Sequence, residues 1–80
     1  MHHDDLKDMI EILSLAAARQ EAEEHFFRRS ASASTSKAAR DLFTEIADDL
    51  QAYCGKLEKR KQELLDALAD LELERRKGKR

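Results

Sequence analysis

The chain has no proline, no tryptophan and no valine, and it has two glycines and one cysteine in 80 residues. Each gap excludes something. With no valine and 5% aromatics it lacks the residues that favour pleated sheet, so a β architecture has little to build on. Without proline, no internal position is barred from a helix. The single Cys54 rules out an intrachain disulfide and, with no signal segment read at the start, fits an expected cytoplasmic location. No apolar run approaches the roughly 20 residues of a membrane span. What fills the chain is 40% charged and 41% hydrophobic residues, dominated by Ala, Leu, Glu, Lys and Arg. That is the profile of long helices and coiled coils, so the expected class is all-α.

Apolar periodicity divides the chain in two. Leu6, Met9, Ile10, Leu13, Ala16, Ala17, Gln20, Glu24, Phe27 and Ala31 recur at steps of three and four, which predicts a first helix over about residues 5–30. Asp4 and Asp5 are its candidate N-caps. The tract RRSASASTSK (28–37) is rich in Ser and Thr, whose hydroxyls compete for the backbone, so it predicts a turn with a new N-cap within Ser34–Ser36. A second stripe, Phe43, Ile46, Leu50, Tyr53, Leu57, Leu64, Leu68 and Leu71, predicts a helix over about 37–76. Gly55 interrupts its composition at a cost of about 1 kcal/mol relative to Ala. The stripe keeps its phase across Gly55, which predicts one continuous helix, the alternative being a kink or the end of a shorter helix at Gly55.

At 1.5 Å per residue these helices span roughly 39 Å and roughly 60 Å. Folded back antiparallel as one domain, Phe27 meets Phe43, Gln20 meets Leu50, Leu13 meets Leu57 and Leu6 meets Leu64. Leu65, Leu68, Leu71 and Leu73 are then expected to lack partners within the chain. A lone hairpin also buries one side of each helix only. Both points predict a homodimer, or a higher oligomer, in which two hairpins complete a four-helix bundle with Leu64, Leu68 and Leu71 in the dimer core. The charge is uneven: residues 1–50 carry six Lys/Arg against eleven Asp/Glu, whereas 51–80 carry nine against six. Antiparallel helices of opposite bias attract modestly, less so in salt.

FFRRSA (26–31) followed by KAARDLFTEIADDLQAY (37–53) resembles the first helical hairpin of the ferritin-like superfamily, in its rubrerythrin branch. Phe26 and Phe27 match the family's aromatic pair, Ala31 its following small residue, and Leu42-Phe43 with Ile46-Ala47 the opening of its second helix. The resemblance covers roughly residues 10–60 and implies a bundle with carboxylate and imidazole ligands at its centre. The ligand positions depart from the pattern: the first Glu falls on Gln20, and the Glu-x-x-His pair falls on Leu50 and Tyr53. A frame shifted by one residue brings Glu21 and Asp49 to carboxylate positions but leaves Ala52 where an imidazole is needed. The resemblance therefore implies a degenerate metal site at Gln20, Leu50 and Tyr53, with no cofactor.

Other candidates are weighed on chemistry. Gln20 and Glu24 lie on the core-facing stripe, where polar groups must find partners; they read as a buried polar layer that fixes register, with Asp48 and Asp49 solvated. Glu21 and His25 stand at i, i+4 and, with Glu24, form the one alternative metal set, for iron. Their plainer reading is a surface charge pair. His2 and His3 beside the amino terminus could hold copper or nickel adventitiously. Cys54 has no Cys or His at metal spacing and reads as a packing residue. No nucleophile–base constellation or phosphate loop can be assembled. The basic tail RRKGKR (75–80) suits the helix C-terminus, and its confinement to one end argues against nucleic acid. The expected role is a non-catalytic, dimeric interaction or assembly module. The alternative is a metal-binding, di-iron-type oxidoreductase with an unusual ligand set.

Overall fold

A computed structural model describes residues 2–78 as two helices packed against each other. Helix α1 spans His3–Ala33 (31 residues) and α2 spans Lys37–Lys77 (41 residues), running antiparallel in a rod of 67 × 15 × 14 Å. The last two residues of the basic tail lie outside the described residues.

The turn falls in the serine tract, for the reason that its composition indicates. Ser30 and Ser34 donate their hydroxyls back to the carbonyls of Phe26 (2.9 Å) and Ser30 (2.7 Å), and the backbone becomes extended at Ser34. Ser36 caps α2 by accepting from the Ala39 N–H at 3.3 Å. At the other end of the hairpin the expected acidic N-caps are corrected. The cap of α1 is His2, which makes no side-chain capping bond, and Asp4 and Asp5 sit inside the first turn, where the helix dipole favours their charge. Arg75, Arg76 and Lys77 occupy the last turn of α2 by the same logic. Helix α2 passes through Gly55 without interruption.

The seam between the helices is built on alanine. Among the described residues, those out of solvent are Ala17, Ala31, Ala47 and Leu6, and no large side chain is fully enclosed. Small side chains let the two backbones approach, and the larger ones (Leu13, Phe27, Phe43, Leu50, Leu57, Leu64) line the edges of the contact half-buried. Phe27 lies 6.0 Å from Phe43, ring centre to ring centre, and Phe26 meets Phe27 edge-on at 5.3 Å.

The expected register holds near the turn and drifts at the open end. Leu6 lies beside Ala67 and Leu71, and His3 reaches Glu72 at 3.2 Å. Leu71 therefore does not hang beyond α1, and Leu64, Leu68 and Leu71 are already half-buried within the hairpin. Side chains on a helix lean toward its N-terminus. In an antiparallel pair, those of α1 lean toward the open end and those of α2 toward the turn. A residue of α1 thus meets a residue of α2 a few positions further on than counting Cα heights suggests.

The surface is large for the mass. The chain exposes 6261 Å², whereas a compact protein of 9.2 kDa exposes roughly 4,900 Å², an excess of roughly 1,300 Å². Its radius of gyration of 18.5 Å compares with about 12 Å for a compact 80-residue domain. Ile12, Leu15, Phe26, Leu42, Tyr53 and Leu73 are each half exposed or more.

Gly55 is the position where sequence and fold disagree most cheaply. A Cβ added there meets nothing within 4 Å. Gly55→Ala is expected to stabilise the protein by about 1 kcal/mol, which thermal denaturation monitored at the helical band will register as a higher midpoint. By contrast, Ala47 is 0% exposed, and Ala47→Leu should lower the midpoint by forcing the helices apart, at a cost of about 1–3 kcal/mol.

Candidate functional site

The half of the hairpin nearer the turn carries a polar cluster that Arg28 organises. Its Nε donates to Glu24 at 2.7 Å, one turn back on α1, and its Nη2 crosses to α2, donating to Asp48 at 3.2 Å and to Gln51 at 3.1 Å. Glu24 is the most shielded of the four, with a side chain 14% exposed. Its position on the seam is what the periodicity indicates, and the guanidinium supplies the partner that a shielded carboxylate requires. The hydrogen bond to Glu24, followed by that to Asp48, raises the pKa of Arg28 further above its ordinary value.

Cys54 is half-buried on the same seam. Its Sγ lies 3.6 Å from the Ala17 carbonyl, which accepts from the thiol. Burial, then the charges of Glu58, Glu21 and Glu24, pushes its pKa up. This is the environment of an inert packing thiol, since the thiolate is the reactive form.

The positions singled out from sequence separate. Gln20 and Leu50 are half-buried on the seam, but Tyr53 is 50% exposed on the flank, and Cys54 holds the inward place beside them. The buried polar layer expected at Gln20 and Glu24 is corrected: no polar or charged side chain is buried among the described residues, and Glu24 accepts from Arg28 at the edge of the seam, in a cluster with Asp48 and Gln51. Glu21 and His25 form an exposed pair at 3.7 Å, separate from the Glu24–Arg28 ion pair. Among the described residues no three His, Cys, Asp or Glu side chains gather as a metal-binding group, and no buried side-chain N or O lacks a partner. The surface depressions are open grooves, one at the open end lined by His2, His3, Asp5, Leu71 and Arg75. Arg28 is the residue that periodicity alone missed. The signal for it was the Glu24–Arg28 spacing of four, the step that brings opposite charges together on a helix face.

The cluster also distinguishes the two flanks of the hairpin. At about 100° per residue, Arg28 leaves the seam on one side, together with Ala47 and Gln51 of α2, and Phe27 leaves it on the other. The Phe27 flank carries Ile12 and Ala16 of α1 with Leu42, Ile46 and Tyr53 of α2. One flank is thus bridged by Arg28; the other exposes Ile12, Leu42 and Tyr53 interspersed with Asp49, Lys56 and Arg60.

Comparison with protein-family models, with curated proteins and with solved structures found no match to this chain. Among the described residues no helix is long and apolar enough to cross a membrane.

The thiol gives the seam a pH dependence of known sign. A pKa raised by folding means that the protonated thiol is favoured in the folded state. The resulting stability is present below the ordinary thiol pKa and is lost as pH rises through the raised value. Denaturant midpoints measured between about pH 8 and 10 should fall more steeply for the native chain than for Cys54→Ser; parallel declines would show that the thiol plays no such part.

Proposed function

We propose that this chain is a non-catalytic assembly module of the cytoplasm: a ferritin-like, rubrerythrin-like helical hairpin that pairs with a second copy of itself to complete a four-helix bundle. The observation that carries the reading is the excess surface of roughly 1,300 Å² over a compact protein of this mass, coupled to a flank that exposes Ile12, Leu42 and Tyr53. A standard interface covers about 800 Å² on each partner, and one side of a rod 67 Å long and about 15 Å wide is large enough to supply it. The residues at the family's ligand positions support the non-catalytic part. Leu50 offers no donor atom, Gln20 is a weak ligand, Tyr53 lies on the flank, and the nearest shielded carboxylate, Glu24, is held by Arg28. A ferritin-like di-iron centre draws a Glu from each of two helices and a Glu-x-x-His pair from each of the other two. Two copies of this hairpin bring no His to the seam at mid-bundle.

Sedimentation of tag-free protein at micromolar concentration is expected to give a dimer or a higher oligomer, and a folded monomer there would refute the reading. Metal analysis of the same sample separates it from the oxidoreductase alternative. Stoichiometric iron that is lost in Glu24→Ala, together with oxygen or peroxide turnover, would overturn the non-catalytic assignment.

A further inference from the structure

The Phe27 flank mixes apolar and charged residues in an order that specifies how a second copy sits on it. On α2 the flank runs Leu42, Asp49, Tyr53, Lys56, Arg60, Ala67, at steps that keep one side of a helix facing outward. All six are exposed. About the Cys54–Gly55 bond the series is its own complement: Asp49 and Arg60 are equidistant from it, as are Tyr53 and Lys56, and Leu42 and Ala67.

Two closed two-fold stackings of hairpin on hairpin are available. With the turns at the same end, α2 lies on α1 of the second copy at matching height. The pairings within the hairpin, Phe27 with Phe43 and Cys54 with Ala17, fix those heights. Asp49 then faces Glu23 of the second copy, like charge on like charge, Arg60 is laid on its Ile12, and Tyr53 meets its Arg19, so the tyrosine finds a cation in either stacking and the charges at Asp49 and Arg60 discriminate. With the turns at opposite ends, α2 lies antiparallel on α2. Asp49 then meets Arg60 of the second copy and Tyr53 meets its Lys56, and the symmetry makes each pairing twice. Opposite charges across an interface select orientation, and an ammonium over a tyrosine ring adds to the attraction.

We propose that the occupant of this flank is a second copy of the chain docked with its turn at the opposite end, so that α2 packs antiparallel on α2 about a two-fold axis at Cys54–Gly55. This rests on the assembly reading given above and adds the surface and the orientation. The dimensions agree: a side 67 Å long and about 15 Å wide is large enough for the roughly 800 Å² per partner of a stable pairing.

Cysteine cross-linking tests it. In a Cys54→Ala background, Leu42→Cys and Ala67→Cys chains are purified separately, mixed and mildly oxidised; Leu42→Cys is also mixed with a Ser30→Cys chain, the partner expected for turns at the same end. A covalent dimer in the first mixture and not in the second is the expected result. The reverse pattern, or a sedimenting dimer that cross-links in neither mixture, overturns the orientation while leaving assembly intact. A folded monomer defeats both. Charge reversal supplies an independent readout, with helicity checked by circular dichroism. Asp49→Lys should weaken the dimer tenfold or more, and Asp49→Lys with Arg60→Asp should restore it. A dimer tightened by Asp49→Lys would point to the Glu23 contact and overturn the proposal.

Discussion

The contact of Ala17, Ala31 and Ala47 between two backbones governs the rest of this molecule. Alanine at the seam lets α1 and α2 approach closely and gives them high helix propensity at no side-chain entropy cost. It buries little area, however, and apart from Leu6 the large apolar side chains of the seam stay partly exposed at the edge of the contact. A two-helix unit assembled this way has a well-defined axis and a thin core. Stability in such a unit must come from helix propensity, from ion pairs along the edges, or from a further surface placed against it.

The two flanks resolve that constraint differently. On one, Arg28 bridges Glu24 to Asp48 and Gln51. A single long side chain with a planar fork of donors ties the two helices together. Nothing equivalent closes the Phe27 flank, where Leu42, Tyr53 and Ile12 face outward. The asymmetry makes the hairpin directional: one side is finished in water and the other has apolar area left over. Exposed pairs such as Lys37–Asp41 and Arg60–Glu63 add little to either side, because solvent and salt screen them.

Much of the architecture was legible in the sequence because it rests on local rules. Periodicity placed both helices, the serine tract placed the turn, and the unbroken phase across Gly55 foretold one long α2. Register was less legible. Counting heights ignores the lean of side chains toward each helix N-terminus, and so it left Leu71 without the company of Leu6. The polar centre was half legible. Glu24 lay on the stripe as expected, but a stripe of period 3.6 does not say which of two neighbours, Tyr53 or Cys54, turns inward. Packing against Ala17 decides that, and it admits the smaller sulfur while leaving the phenol outside.

The glycine at position 55 bears on why such a thin core suffices. A helix former there would lower the free energy of α2 by about 1 kcal/mol, and the backbone leaves room for it. A chain that had to stand as a folded monomer would be under pressure to take that gain, since small single-core units have only a few kcal/mol in hand. When folding is linked to association, the binding free energy of the second copy adds to the stability of the first, and stability rises with concentration. Individual positions in the hairpin can then fall short of their optimum without unfolding the assembly. In the proposed dimer the same linkage would make the alanine seam sufficient: the seam would need only to hold two helices in register, with the covered flank contributing the remainder.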